Sequence, residues 1–267
     1  MPLPWASALG GFVVRNLGPR IGATKRARIN LRRAMPELDE SQIEKIVRGM
    51  WDNLGRVFAE YPHLGEFQIY DPNGRVEVLG YTPKDYPPKP GQTYLFWSAH
   101  FGNWEILTLG LTQASLKVAA IYRAPNNPFV DRLILRARSV FGVELIAKGA
   151  TGRRAIAALH KGAHLCLMID QKMNSGIPVP FFGRDAMTEK VFARLALRYD
   201  CVVVPARVER ISGARFRLTC DPPMEVRRTG DDDADALDLM TQINARLEEW
   251  IRQRPEQWFW LHRRWPD

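Results

Sequence analysis

Leu95-Phe96-Trp97-Ser98-Ala99-His100-Phe101-Gly102-Asn103-Trp104-Glu105 is the stretch from which fold and chemistry are both read. Its first five residues make an apolar run of the kind buried in a parallel sheet. Gly102 breaks the run, and residues 104–114 then read as a helix. A strand that turns into a helix in this way marks the carboxyl edge of an open α/β sheet, where such folds bind ligands. His100 stands at that turn, and Glu105 follows five residues later.

Outward from this stretch the pattern alternates. Residues 94–99, 117–122, 143–147, 163–169 and 201–209 read as strands, and residues 104–114, 128–141, 151–161 and 186–199 as helices. Alternation of this kind predicts an α/β fold with a mostly parallel central sheet flanked by helices. Residues 75–80 add a short strand, residues 215–220 an antiparallel edge strand, and the segment after Ile169 a long loop. The last helix starts at Asp231-Asp232-Asp233, where acidic residues suit the helix dipole. Its Leu237, Met240, Ile243, Leu247, Trp250 and Ile251 are expected in the core.

A helical extension precedes this unit. Residues 39–61 carry a 3–4 apolar stripe from Ile43 to Phe58, with Ser41 and Glu44 spaced as a capping box. Residues 1–14 are apolar but too few to span a bilayer, which takes about 20 residues. They read as an interfacial helix, the tail end of a longer membrane segment, or a helix packed on the domain. Seven basic residues lie between Arg15 and Arg33, with no acidic residue before Glu37. A basic run behind an apolar segment suits anionic lipid headgroups. The expected division is therefore a membrane-proximal segment, 1–38, and a catalytic domain, 39–267.

The net charge of +9 favours an anionic partner: nucleic acid, lipid or an acidic protein. Aromatic and basic residues are not interleaved on one strand face, which argues against nucleic acid. Cys166, Cys201 and Cys220 are widely spaced and fit reduced core positions. No metal motif uses them, and neither a metal nor a cofactor is expected.

Three constellations hold candidate site residues. In the first, a folded-back turn lets Glu105 reach one ring nitrogen of His100, orienting it as a general base. Taken singly, each residue has a plainer reading: a structural histidine, a carboxylate on the helix dipole, and Asn103 as an N-cap. The His–x4–Glu spacing is not that of a helical zinc pair, and no Gly-x-Ser-x-Gly nucleophile is present. Backbone N–H groups near Gly102 and Asn103 are candidates to stabilise an oxyanion. The second constellation holds Arg123, Asn127, Asp131, Arg136 and Arg138. Arg136 and Arg138 cannot share a helix face, so one is expected to point inward, where its planar fork suits phosphate. The third runs from Asp170-Gln171 to Phe181-Phe182-Gly183. Asp170 and Gln171 end the 163–169 strand on the same edge as His100, and the Phe pair either packs down or lines an apolar channel.

Four of these segments, in this order, resemble the bacterial lipid A late acyltransferases, the lauroyl/myristoyl transferases of the glycerolipid acyltransferase superfamily. They are His-Phe-Gly-Asn-Trp-Glu, the run from Tyr122 through Asp131 to Arg138, Asp-Gln with Val-Pro-Phe-Phe-Gly, and the ending Arg-Pro-Glu-Gln-Trp-Phe-Trp-Leu-His-Arg-Arg-Trp. The resemblance covers residues 15 to 265. It implies a glycerolipid acyltransferase-like fold, with His100 as base and Glu105 supporting it. It places Arg138 at the acceptor phosphate and Asp170 at the family's acidic position. It also implies acyl carrier protein as donor, a phosphorylated glycolipid as acceptor, and the cytoplasmic face of the inner membrane as the place of action. The remaining readings are another lysolipid or glycolipid acceptor, or a non-catalytic basic membrane-binding protein. His63, His160 and His164 are read as structural.

Overall fold

The computed structural model describes residues 1–122, 132, 134–136, 138, 142–147, 151–173 and 176–265. Three helices open the chain: α1 (Leu3–Leu17), α2 (Thr24–Ala34) and α3 (Glu40–Glu60). α3 begins with a capping box two residues earlier than the Ser41/Glu44 spacing predicts. The Gln42 N–H donates to Asp39 Oδ1 and the Asp39 N–H to Gln42 Oε1, both at 2.8 Å. Glu44 is drawn off by a charge instead, because Arg28 of α2 forks onto its two oxygens. α1 lies directly on α3, and glycines allow the approach. A Cβ on Gly55 would stand 2.3 Å from the Gly10 carbonyl oxygen.

The sheet follows as β1 (Val76–Gly80), β2 (Tyr94–Ser98), β3 (Val118–Tyr122), β4 (Glu144–Ala147), β5 (His164–Met168), β8 (Val202–Ser212) and β9 (Arg215–Cys220). Between them run α4 (Glu105–Gln113), α5 (Thr151–His160), a hairpin of β6 (Ile177–Phe181) and β7 (Arg184–Thr188), and α6 (Val191–Arg198); α7 (Asp232–Gln253) follows. The strand order is β1-β9-β8-β2-β5-β3-β4, and every pair is parallel except β8–β9. The mixed, mostly parallel α/β class is as expected. Every residue of β2 is buried, as an apolar strand covered on both faces must be.

Four expectations need correction. β9 is antiparallel to β8 but not at the edge, since β1 pairs with it on the outside, Val76 opposite Phe216. The long loop after Ile169 contains the β6–β7 hairpin, and α6 begins at Val191 rather than 186. Pro178 and Pro180 hid that strand, yet both are exposed on a two-stranded ribbon, where proline is tolerated. Phe182 and Gly183 close the hairpin with φ of +52° and +66°, the left-handed pair that a two-residue turn needs. On α7, Leu237 is exposed, whereas Met240, Ile243, Leu247, Trp250 and Ile251 are buried. Phe58, at the end of the α3 stripe, is 52% exposed because it borders a cavity rather than the core. The three cysteines are buried and unpaired.

Candidate active site

The register of the central sheet builds the site. β2 and β5 are parallel neighbours, with Ser98 opposite Met168. Two residues beyond each partner stand His100 and Asp170, side by side at the carboxyl edge. His100 Nδ1 and Asp170 Oδ1 are 2.8 Å apart. Asp170 Oδ2 accepts the His100 backbone N–H at 2.8 Å and the Trp258 indole N–H at 2.9 Å. Gly102 has φ +57°, and a Cβ there would meet the Val208 carbonyl oxygen at 1.9 Å. Only glycine fits, so the turn carrying His100 is fixed against β8. The C-terminal segment clamps it from the other side: Gly102 N–H donates to the Gln257 carbonyl and Phe259 N–H to that of His100, both at 3.1 Å.

Asp170 is fully buried. Burial works against its charged form. The charge and hydrogen bonds of His100, with help from His262, outweigh it and hold the carboxyl well below its usual range. An ionised Asp170 fixes the N–H on His100 Nδ1 and leaves Nε2 as the basic nitrogen.

The structure thus brings Asp170, not Glu105, to the ring of His100. Glu105 opens α4 facing the end of α3, where its oxygens accept Arg138 Nη2 at 2.6 Å, Arg138 Nε at 2.8 Å and the Tyr61 hydroxyl at 2.7 Å. A mostly buried guanidinium demands a carboxylate, and this one is used for that purpose. Burial disfavours the Glu105 charge, but Arg138 lowers its pKa overall. Burial, then the Glu105 charge, pushes the Tyr61 phenol far above its ordinary value. Arg138 lines the cavity beside His100, but its fork is already held by Glu105.

That cavity, of about 600 Å³, lies in front of His100. Leu54, Phe58, Ile121, Leu167, Ile169 and Phe192 give it apolar walls, and Tyr61, Arg138, Gln171 and Glu189 supply polar points. It has the size and mixture expected of a site for an apolar ligand with a polar reacting end.

The other predicted residues fall as follows. Gln171 lines the cavity. Asn103 does not: its amide donates to Glu60 and its oxygen accepts the Glu105 N–H. Glu60 is buried with Arg210, Asn53 and Ser7, so Asn103 belongs to a polar core network. The Gly102 N–H is taken by Gln257 and is not an oxyanion donor. Phe181 and Phe182 pack against Trp258, Trp260 and Trp265 rather than line a channel, and Gly183 only closes their hairpin. Arg123, Asn127 and Asp131 lie outside the described residues. His164 accepts the Tyr94 N–H, a structural bond.

Sequence reasoning misses His262 and Trp258. Both lie in the Trp-rich ending, whose histidine was an available signal. The His262 ring stands edge-on to His100, centroids 5.0 Å apart, and borders the cavity. Burial lowers its pKa to about 3, with His100 and Arg264 acting in the same sense and Asp170 opposing. This sets a pH dependence. Between about 6.5, the unfolded value, and about 3, the unfolded chain binds a proton that the folded one refuses. Stability is therefore lost as pH falls from 6.5, by up to about 1.4 kcal/mol per pH unit. His262→Gln should flatten the curve of denaturation midpoint against pH between 6.5 and 4, leaving the part due to His164, whose burial also lowers its pKa, and, toward pH 4, the part due to carboxylates held low by their partners, such as Glu44 and Glu105.

Comparison with known proteins gives the family of the chain. The whole chain, residues 1–267, matches the family described as bacterial lipid A biosynthesis acyltransferase. It is 26% identical over 268 residues to the lipid A biosynthesis palmitoleoyltransferase of Escherichia coli (strain K12), covering 93% of this chain and 83% of that one. It is 26% identical over 265 residues to the lipid A biosynthesis myristoyltransferase of the same strain, covering 97% and 79%. An α/β edge with an acid-oriented histidine over an apolar cavity, and a match along its full length, place the chain in the bacterial lipid A biosynthesis acyltransferase family of enzymes.

Proposed function

We propose that the chain moves a fatty acyl group from the thioester of acyl carrier protein to a hydroxyl of a phosphorylated lipid A precursor. The observation that carries this reading is the His100–Asp170 pair opening on an apolar cavity of about 600 Å³. In the reaction His100 Nε2 takes the proton of the acceptor hydroxyl. The oxygen attacks the thioester carbonyl, the C–O bond forms, and the C–S bond breaks. The leaving thiolate then receives the proton from His100. No cofactor is needed. The acyl chain lies among Leu54, Phe58, Ile121 and Phe192, while the positive surface of a +9 chain attracts an acidic carrier protein. Arg138 and Gln171 sit where polar parts of a substrate meet the cavity wall.

The place of action is the cytoplasmic face of the inner membrane. Among the described residues no helix is long and apolar enough to cross a membrane. α1 instead presents Trp5, Leu9, Phe12, Val13 and Leu17 to solvent, with Arg15 and Arg20 beside them. An exposed apolar face flanked by arginines suits the headgroup region of an anionic leaflet. Leu9→Glu and Phe12→Glu are each expected to weaken binding to anionic vesicles about tenfold or more, since burying such a side chain is worth ~1.5–3 kcal/mol. Vesicle sedimentation measures this, and unchanged partitioning of the double variant would reject the docking face.

The deciding assay offers acyl-acyl carrier protein and acyl-coenzyme A, each with lipid A precursor or a lysophospholipid. The expected product is the lipid A precursor heavier by one acyl group, formed from the carrier-protein donor. Acylated lysophospholipid instead would reassign the acceptor. No transfer to any lipid would reject the reading.

A further inference from the structure

We propose that His100, Asp170 and His262 form a binding site for zinc or a similar divalent transition-metal ion, and that the bound ion switches the catalytic base off. One ligand atom from each residue lies within 4.8 Å of the others. Asp170 Oδ1 is 2.8 Å from His100 Nδ1, and His262 Nε2 is 4.0 Å from Asp170 Oδ2. Two imidazoles and one carboxylate are the donor set of three-ligand zinc sites, whereas calcium and magnesium prefer oxygen. Tetrahedral zinc with ~2.1 Å bonds spaces its ligands about 3.4 Å apart. The 2.8 Å separation of His100 and Asp170 must open by on the order of half an ångström, and His262 Nε2 must close on the other two ligand atoms from within 4.8 Å.

Two further features favour a cation. His262 Nε2 is buried beside Asp170 and, among the described residues, has no hydrogen-bond partner. Native folds rarely leave such a nitrogen unmatched without a ligand or water for it. Asp170 Oδ2 is held by two N–H donors, Trp258 Nε1 and the His100 backbone, which orients the carboxylate and leaves Oδ1 for an ion.

The effect on chemistry follows from the tautomer. Catalysis needs the proton on His100 Nδ1 and a lone pair on Nε2. A metal bound at Nδ1 takes the place of that proton, and the displaced proton moves through solvent to Nε2. The ring stays neutral, but Nε2 becomes a donor and no longer accepts the acceptor's proton. The site is thus inhibitory, and this half of the inference rests on His100 being the base.

Co²⁺ titration of the chelator-treated full chain, followed by visible absorption, reads binding without any acyl transfer. One equivalent of Co²⁺ should give the intense bands of a four- or five-coordinate site, and Zn²⁺ should displace them. Asp170→Asn and His262→Ala should weaken binding at least about 10–100-fold, the loss seen even for an outer partner of a metal. His262→Gln keeps a side chain of similar bulk and serves if the alanine variant fails to fold. His63→Ala, removing a histidine paired with Glu66, should leave the bands unchanged. Zn²⁺ should inhibit transfer over the concentrations that displace cobalt, and chelator should restore it. Bands absent from the wild type, or unchanged in both His262 variants, would overturn the site and leave a bound water as the partner of His262. Binding by a chain that transfers no acyl group would uphold the site and reject the acyltransferase reading instead.

Discussion

Replacing His100 with alanine is expected to lower acyl transfer by at least ~10²–10⁴-fold, the usual worth of a positioned general base, with the fold unchanged. The hydrogen bonds that fix this turn come from the backbone: His100 N–H to Asp170, Phe259 N–H to the His100 carbonyl, and Gly102 N–H to Gln257. None needs the imidazole. The ring adds its bond to Asp170 and edge contacts with Trp104 and His262. The cavity walls stay in place, so substrate binding should change little and the loss should fall on kcat. Steady-state transfer with the natural donor measures it, and a wild-type rate in the variant would remove His100 from the mechanism.

Asp170→Asn should cost nearly as much, about 10⁴-fold by comparison with the equivalent exchange in a Ser-His-Asp triad. The reason lies in the two donors on Oδ2. His100 N–H and Trp258 Nε1–H both point at that atom. An asparagine must therefore place its carbonyl oxygen there, which turns its NH₂ toward His100 Nδ1. A donor facing Nδ1 forces the ring proton onto Nε2, and the base is lost with almost no change of shape. Asp170→Ala is a poorer probe, because it strips partners from two buried donors as well. Glu105→Gln makes the contrast. It weakens the grip on Arg138 and Tyr61 and leaves the His100 ring bonded as before. Equal kcat losses in both variants at an intact fold would deny Asp170 its particular place.

The sheet was legible because each strand of the alternation is a short apolar run ended by a turn, a local property. The edge holding His100 and Asp170 was legible for the same reason. Their pairing was not, because it depends on β2 and β5 being neighbours although 65 residues of chain, with two other strands, lie between Ser98 and His164. Once Ser98 is set opposite Met168, the dyad follows by counting two residues along each strand. Glu105 was attractive because it is close in sequence. The helix that starts there turns it toward Arg138, a partner with a stronger claim on a buried carboxylate than a neutral ring has. The Phe181-Phe182 pair failed as a channel for a similar reason: three tryptophans from the chain's last turns cover it. His262 was hidden in a segment whose tryptophans suggest packing, and only tertiary contact sets it beside His100.

Nitrogen-15 NMR of the histidine rings tests most directly whether Asp170 presents an unprotonated His100 Nε2 to the cavity. Above the acid range the wild type should show His100 with its proton on Nδ1, Glu105→Gln should show the same, and Asp170→Asn should show the proton moved to Nε2. A wild-type ring already protonated on Nε2 alone, or one whose tautomer follows Glu105 and ignores Asp170, would contradict it.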